Sequence, residues 1–282
     1  MRLRSYRPHL PLELIACIID YLDCAVALKN CSRVCHAWLP LSRSHIFRVL
    51  SVFLNDRRVF KRLQGLNNTI DQSPCISTYV SELCIMETFG CHAMLSYAPH
   101  KLDTVLPSLL YKLTNLRKIA VSGMDWTNMT TPEIRSAVRT LIHRPSFVHL
   151  VVNSFEFAQL VHLTTLLPPT LKRLDIDNIW GAESSDVIDE ENKRPPPQKP
   201  CQLEYLKCRV SSALVDRVLN SQQVDISKVH TLDVFSVFDE SECISRIAKK
   251  SGSSLEHLHV TYQYTSVSLL LFVRSPAYLI LV

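Results

Sequence analysis

The sequence predicts an α/β chain: a small N-terminal unit of three short helices, followed by an irregular solenoid of short parallel strands alternating with helices. Three observations carry this. Apolar residues at helical spacing fill residues 10 to 53. Further on, one triplet of apolar residues recurs seven times. Helical patterns lie between several of those triplets.

In the first unit, Pro11 stands where a helix begins easily, because its missing N–H belongs to a first turn that leaves donors unpaired anyway. Glu13 follows, at the favourable end of the helix dipole. Leu14, Ile15, Ile18, Ile19 and Leu22 then form one apolar stripe. Leu28, Cys31, Val34, Cys35 and Trp38 suggest a second helix, which Pro40 ends unless it opens the next. A third runs from about Leu41 to Phe53, with Ile46, Phe47, Leu50 and Phe53 inward. A unit of this size, residues 8–54, is near the lower limit for independent folding. Something else should cover part of its apolar surface.

Residues 55–79 read as a helical linker, with a short helix from Phe60 to Leu66 and a turn at Asn67-Asn68. The body follows, over residues 80–265. Its motif is an apolar residue, two others, an apolar residue, one other, an apolar residue. It appears as Val80/Leu83/Ile85, Leu116/Ile119/Val121, Phe147/Leu150/Val152 and Leu171/Leu174/Ile176. It returns as Leu203/Leu206/Cys208, Val229/Leu232/Val234 and Leu255/Leu258/Val260, at intervals of 36, 31, 24, 32, 26 and 26 residues. Helical patterns fall at about Pro132 to Ile142, Phe157 to Leu167, Ala213 to Leu219 and Glu240 to Lys249.

A short strand plus a helix at such intervals is the signature of leucine-rich repeats, in which each unit is covered only by its neighbours. An ordinary α/β domain with a parallel sheet also alternates strands and helices. The repeats are degenerate. Three residues past the triplet, where the type pattern holds Asn, stand Met124, Phe155, Ile179 and Val237, so the turns must close without an asparagine ladder. Residues 182–200 read as a loop insertion, acidic, then basic, then proline-rich. Residues 266–282 are an apolar segment that either packs on the last repeat or is a truncated one.

Composition narrows the function. The apolar share of 47% supports a full core. The ten cysteines are scattered, which fits reduced thiols in the cytoplasm or nucleus better than a secreted disulfide framework. Pro11, Glu13 and Asp20 interrupt any signal-peptide core. Residues 267–282 fall short of the roughly 20 that span a bilayer and contain Arg274 and Pro276. Up to Arg62 there are eleven Lys/Arg against four acids, whereas the remainder has 20 against 22. The first unit is therefore basic and suits an acidic partner or nucleic acid.

Enzyme chemistry finds little footing. The five glycines, at 65, 90, 123, 181 and 252, are isolated, so no phosphate-cradling loop exists. There is no CxxC, and Cys31 with Cys35 reads as core on a helical stripe. His257 and His259 share a strand face and would need a third metal ligand such as Asp233. No GxSxG elbow occurs, and no Cys/His ring spacing for a catalytic ligase module. The chain reads as non-enzymatic, without metal or cofactor. The basic unit lacks the interleaved aromatics of single-strand binders, so nucleic acid is the weaker partner.

The first unit carries a family resemblance. Leu10-Pro11-Leu12-Glu13-Leu14 with Ile18 and Tyr21-Leu22 resembles the opening of an F-box. Leu28, Cys31, Val34-Cys35 and Trp38 resemble its second half, and Leu41-Ser42-Arg43 with Ile46-Phe47 the version common in fungal F-box proteins. The resemblance implies a substrate-recognition subunit of an SCF-type cullin ubiquitin ligase. It would dock on an acidic Skp-type adaptor, and through it on a cullin, and hold a protein substrate by the repeats. Carried over by position, Leu10, Pro11, Leu14, Ile15, Ile18 and Leu22 supply adaptor contacts, and Leu28, Val34 and Trp38 complete that interface. Some of the nine must instead hold the helices together. The substrate face is the outward side of the strands, where side chains alternate with the buried set. It comprises Asp175, Asp177, Lys207, Arg209, Asp233, Phe235, His259 and Thr261. Two alternatives remain open: a leucine-rich-repeat interaction scaffold without ligase association, and a nucleic-acid binder using the basic unit.

Overall fold

The structure is a computed structural model that describes residues 10–54, 56, 58–86, 99–123, 131–153, 167–177, 199–209, 223–236, 241–262 and 268–272. It begins with three helices, α1 (Leu12–Asp20), α2 (Ala25–Cys31) and α3 (Trp38–Ile46). Pro11 caps α1 from outside and Glu13 lies in its first turn. Ile15, Ile19 and Leu28 form a small core of their own, against which Leu22, Trp38, Leu41 and Ile46 pack. His45 Nε2 stands 2.8 Å from Asp20 Oδ1 and ties α3 to α1.

Two sequence expectations are corrected here. The second helix does not run through Trp38: α2 ends at Cys31, and Pro40 lies in the first turn of α3. Cys35 falls in the intervening turn and is exposed, so it is not a core residue. The third helix stops at Ile46, and Val49–Phe53 is instead strand β1. Phe47/Leu50/Val52 has the same spacing as the seven recognised triplets, 33 residues before Val80. Its helical reading came from four apolar residues that also fit a strand entry.

The linker is helical as expected but longer in its first piece. Helix α4 (Val59–Gln72) runs straight through Asn67-Asn68, and α5 (Cys75–Tyr79) follows. Lys112 Nζ reaches Asn67 Oδ1 at 2.7 Å and Asp71 Oδ1 at 2.6 Å, so that part of α4 is held by a neighbouring helix. Beyond it come β2 (Glu82–Met86), α6 (Pro99–Lys112), β3 (Lys118–Ser122), α7 (Pro132–Ile142), β4 (His149–Asn153) and β5 (Arg173–Asp177). Then follow β6 (Cys201–Gln202), β7 (Tyr205–Arg209), β8 (Val224–Asp225), β9 (Thr231–Ser236), α8 (Ser241–Ser251), β10 (His257–Tyr262) and β11 (Ser268–Phe272). Helix α6 was not foreseen. Helix α7 occupies the predicted range: Thr131 Oγ1 caps Ile134 N–H, Pro132 opens the first turn, and Ile134, Ala137, Val138, Leu141 and Ile142 are buried at helical spacing. The predicted helix at 157–167 apart from Leu167, that at 213–219, the residues at 124, 155, 179 and 237, and most of the insertion at 182–200 lie outside the described residues.

The chain is a mixed α/β protein with a parallel sheet of eight strands. They lie in chain order, β1-β2-β3-β4-β5-β7-β9-β10, with β11 added antiparallel on β10. Strands β6 and β8 pair separately. All 21 triplet residues from Val80 to Val260 are at most 2% exposed, in one continuous core with the inner faces of α4, α6, α7 and α8. Burial of each such side chain contributes about 1.5–3 kcal/mol.

A backbone device repeats at each parallel junction. One carbonyl accepts from two successive N–H groups entering the next strand. The carbonyls are those of Arg48, Ser81, Arg117, Val148, Lys172, Glu204 and His230, and each distance is 2.7–3.4 Å. Each strand entry is thus bridged by main chain, without an asparagine side chain.

Candidate functional site

Two surfaces stand out, one on α1 and one on the sheet. The α1 surface arises because the helix is apolar on two sides. Ile15 and Ile19 point into the helical unit's core. Leu10, Pro11, Leu12, Leu14, Ile18 and Tyr21 remain exposed, with Leu14 at 51%, Ile18 at 43% and Tyr21 at 88%. Val26 and Val34 are also exposed, on and after α2.

The nine residues assigned to adaptor contact therefore divide. Leu10, Pro11, Leu14, Ile18 and Val34 are exposed and open to a partner. Ile15 and Leu28 are buried in the unit's own core and are among those that hold the helices together. Leu22 and Trp38 are half-buried and pack on that core. Leu12, Tyr21 and Val26 were missed. Leu14, Ile18 and Tyr21 recur at i, i+4 and i+7, a second stripe that the first one obscured.

The sheet surface is the face opposite the buried triplets. Its register gives three lines of side chains. The first runs Glu82, Lys118, His149, Arg173, Tyr205, Thr231, His257. The second runs Ser51, Cys84, Ala120, Val151, Asp175, Lys207, Asp233, His259. The third includes Phe53, Met86, Ser122, Asn153, Asp177 on β1 to β5, and Arg209, Phe235, Thr261 on β7 to β10. All eight residues expected on the substrate face lie on it, half-buried and side by side on β5 to β10. The first line was missed on that face, although Arg173, Tyr205 and His257 sit two residues before assigned positions.

The charges pair across strands. Asp175 stands 3.2 Å from His149 Nε2 and 3.3 Å from Arg173 Nε. The His149 contact is off line for a regular hydrogen bond. Burial raises the Asp175 pKa, but His149 and Arg173 outweigh it and hold the carboxyl below its ordinary value. Asp233 is met by Lys207 Nζ at 3.6 Å and His259 Nδ1 at 3.2 Å, and accepts from the Tyr205 hydroxyl at 3.3 Å. Burial, and then the Asp233 charge, push the Tyr205 phenol up to about 12. Arg209 Nε lies 3.2 Å from Asp177. The Arg173 guanidinium stacks 3.8 Å above Tyr205 and that of Arg209 4.9 Å from the Phe235 ring centre.

These contacts make a salt-bridged sheet face. His259 and Asp233 pair with each other, and among the described residues no group of three His, Cys, Asp or Glu could hold a metal ion. None of the described cysteines forms a disulfide with another described residue. Among the described residues no helix is long and apolar enough to cross a membrane. No protein-family model matches the chain, and no curated protein is significantly similar to it.

Proposed function

We propose that the chain is a non-catalytic substrate receptor of an SCF-type ubiquitin ligase, with an F-box at its N-terminus and a degenerate leucine-rich-repeat body. The observation that carries this reading is the exposed apolar stripe Leu14, Ile18 and Tyr21 along α1 and its C-terminal cap, with Leu10 exposed just before the helix, while Ile15 and Ile19 on the other side are already packed. A lone surface helix gains nothing by exposing a stripe of large apolar side chains, whereas an interface does. The chain-order parallel sheet and the seven identical carbonyl bridges support the repeat reading of the body. The basic first unit suits an acidic Skp-type adaptor.

In this reading the mechanism is proximity. The helical unit binds the adaptor, and through it a cullin, while the sheet face holds a protein substrate where a separate conjugating enzyme can transfer ubiquitin. This chain makes and breaks no bond. The test is co-purification of the full chain with a Skp-type adaptor, beside a Pro11→Ala/Leu14→Ala variant. Stoichiometric complex with the parent and weakened complex with the variant support the reading. Equal recovery with both removes it and leaves the interaction scaffold without ligase association.

A further inference from the structure

The two ends of the large sheet are finished differently. At one end the chain covers β10 with an antiparallel strand of its own, β11. At the other end β1 is the outermost strand, and no described element pairs beyond it. The ladder between β1 and β2 begins at the Arg48 carbonyl, which accepts from Glu82 N–H, and ends at Leu54 N–H, which donates to the Met86 carbonyl. In a parallel ladder alternate residues turn their main-chain groups to the same side. The even-numbered residues therefore serve β2, and Val49, Ser51 and Phe53 turn theirs to the open edge. The Phe53 carbonyl is taken by Asp56 N–H at 3.1 Å. Among the described residues the other five groups have no partner.

Strand β1 carries none of the devices that shield an open edge. Its sequence, VLSVF, has no charge and no proline, and its pairing with β2 has no bulge. Val49 and Phe53 are exposed, at 42% and 43%. Beside them an open hollow of about 160 Å³ lies between β1 and α4, with Leu50, Val52, Val59, Leu63 and Leu66 in its lining. No residue of α1 to α3 lines it. The nearby cations are already met within the chain: Arg48 Nε lies 3.8 Å from Glu82, and Arg62 Nη1 lies 2.6 Å from Asp56. The edge thus suits an uncharged apolar strand, as β1 itself is.

We propose that β1 pairs with β1 of a second copy, antiparallel, about a two-fold axis at Ser51. The strand is complementary to itself about that residue. Ser51 meets its own counterpart, which places a small side chain at the axis. Val49 falls opposite Phe53 of the other copy, twice, and a β-branched residue facing an aromatic one is a favourable cross-strand pair. Each Ser51 N–H donates to the other Ser51 carbonyl, and each Phe53 N–H to the other Val49 carbonyl. Only this register opposes all three outward residues of both copies. The added strand also covers the mouth of the hollow. A two-fold contact uses the same patch on both copies and closes both open edges at once. The contact is small beside that of an obligate dimer, so micromolar affinity is expected. The inference goes beyond the ligase reading and holds whether or not the helical unit binds an adaptor.

Sedimentation velocity of the full chain from about 1 to about 100 μM tests it. A monomer–dimer equilibrium is expected. Ser51→Pro removes an outward N–H and leaves the bonds to β2 in place, since proline is tolerated on an open edge. Phe53→Lys puts a charge where the copies meet. Each should raise the dissociation constant at least about tenfold. Leu14→Glu, on α1, should leave it unchanged. Melting curves matching the parent show that the variants fold, and Phe53→Lys carries the test by itself if Ser51→Pro does not. Oxidised Ser51→Cys should give a disulfide between the two substituted positions, which a single chain cannot form, read by mass spectrometry of the joined peptides. A chain that stays monomeric across the range overturns the proposal. Binding of an added apolar peptide that protects β1 from amide exchange would then assign the edge to a foreign strand. A dimer that survives both edge variants, or that Leu14→Glu dissolves, overturns it as well.

Discussion

At the residue scale, Asp175 shows how the sheet face is held together. Its folded-state pKa lies below that of an unfolded aspartate, so its ion pairs stabilise the fold fully above the unfolded value of about 3.9. That contribution fades as pH falls through the folded value. Asp175→Asn should therefore cost about 1–2 kcal/mol at pH 7. The deficit should shrink toward zero in acid, as urea melts at pH 7 and pH 3 can show. Ser42 is the opposite case. Its side chain is fully buried in α3, and among the described residues its hydroxyl has no hydrogen-bond partner. Ser42→Ala removes an orphaned polar group and adds a better helix former, so thermal melts should show a gain of about 1 kcal/mol.

At the scale of elements, α1 must serve two sides. Ile15→Ala opens a cavity in a core of three buried residues and should cost about 2–4 kcal/mol in the helical unit. Leu14→Ala, on the other side, should change stability by less than about 0.5 kcal/mol. Circular dichroism melts of the two variants separate these roles. Helix α8 ends at Ser251, and Gly252 follows at φ 63°, a left-handed position that a Cβ strains. Gly252→Ala should lower stability by about 1 kcal/mol, read from the same melts.

Legibility at this scale followed the strength of each local signal. The seven triplets were read correctly because a strand with one buried face forces a period of two behind its entry residue. Helix α7 was read from its helical pattern over Pro132 to Ile142, and in the structure Thr131, Pro132 and Glu133 mark its start. Strand β1 was not, because Ile46, Phe47, Leu50 and Phe53 fit a helical period as well. The continuation of α4 through Asn67-Asn68 depended on Lys112, 41 residues from Asp71, which no local pattern records. The split of the α1 residues between core and surface was likewise invisible, since both stripes are apolar and only packing tells them apart.

At the scale of the whole molecule, the parallel sheet grows by one step at a time in chain order, and its outward lines of side chains are a consequence of that register. The helical unit feeds directly into β1, so the α1 surface and the sheet face belong to one chain without a long connection. In the proposed reading these are two separate docking surfaces, the first for a Skp-type adaptor. Amide hydrogen exchange of the full chain, with and without that adaptor, tests it most directly. Added protection over residues 11–35 and unchanged exchange in β5, β7, β9 and β10 are expected. Absence of binding, or protection that appears on those strands while α1 stays unprotected, would contradict it.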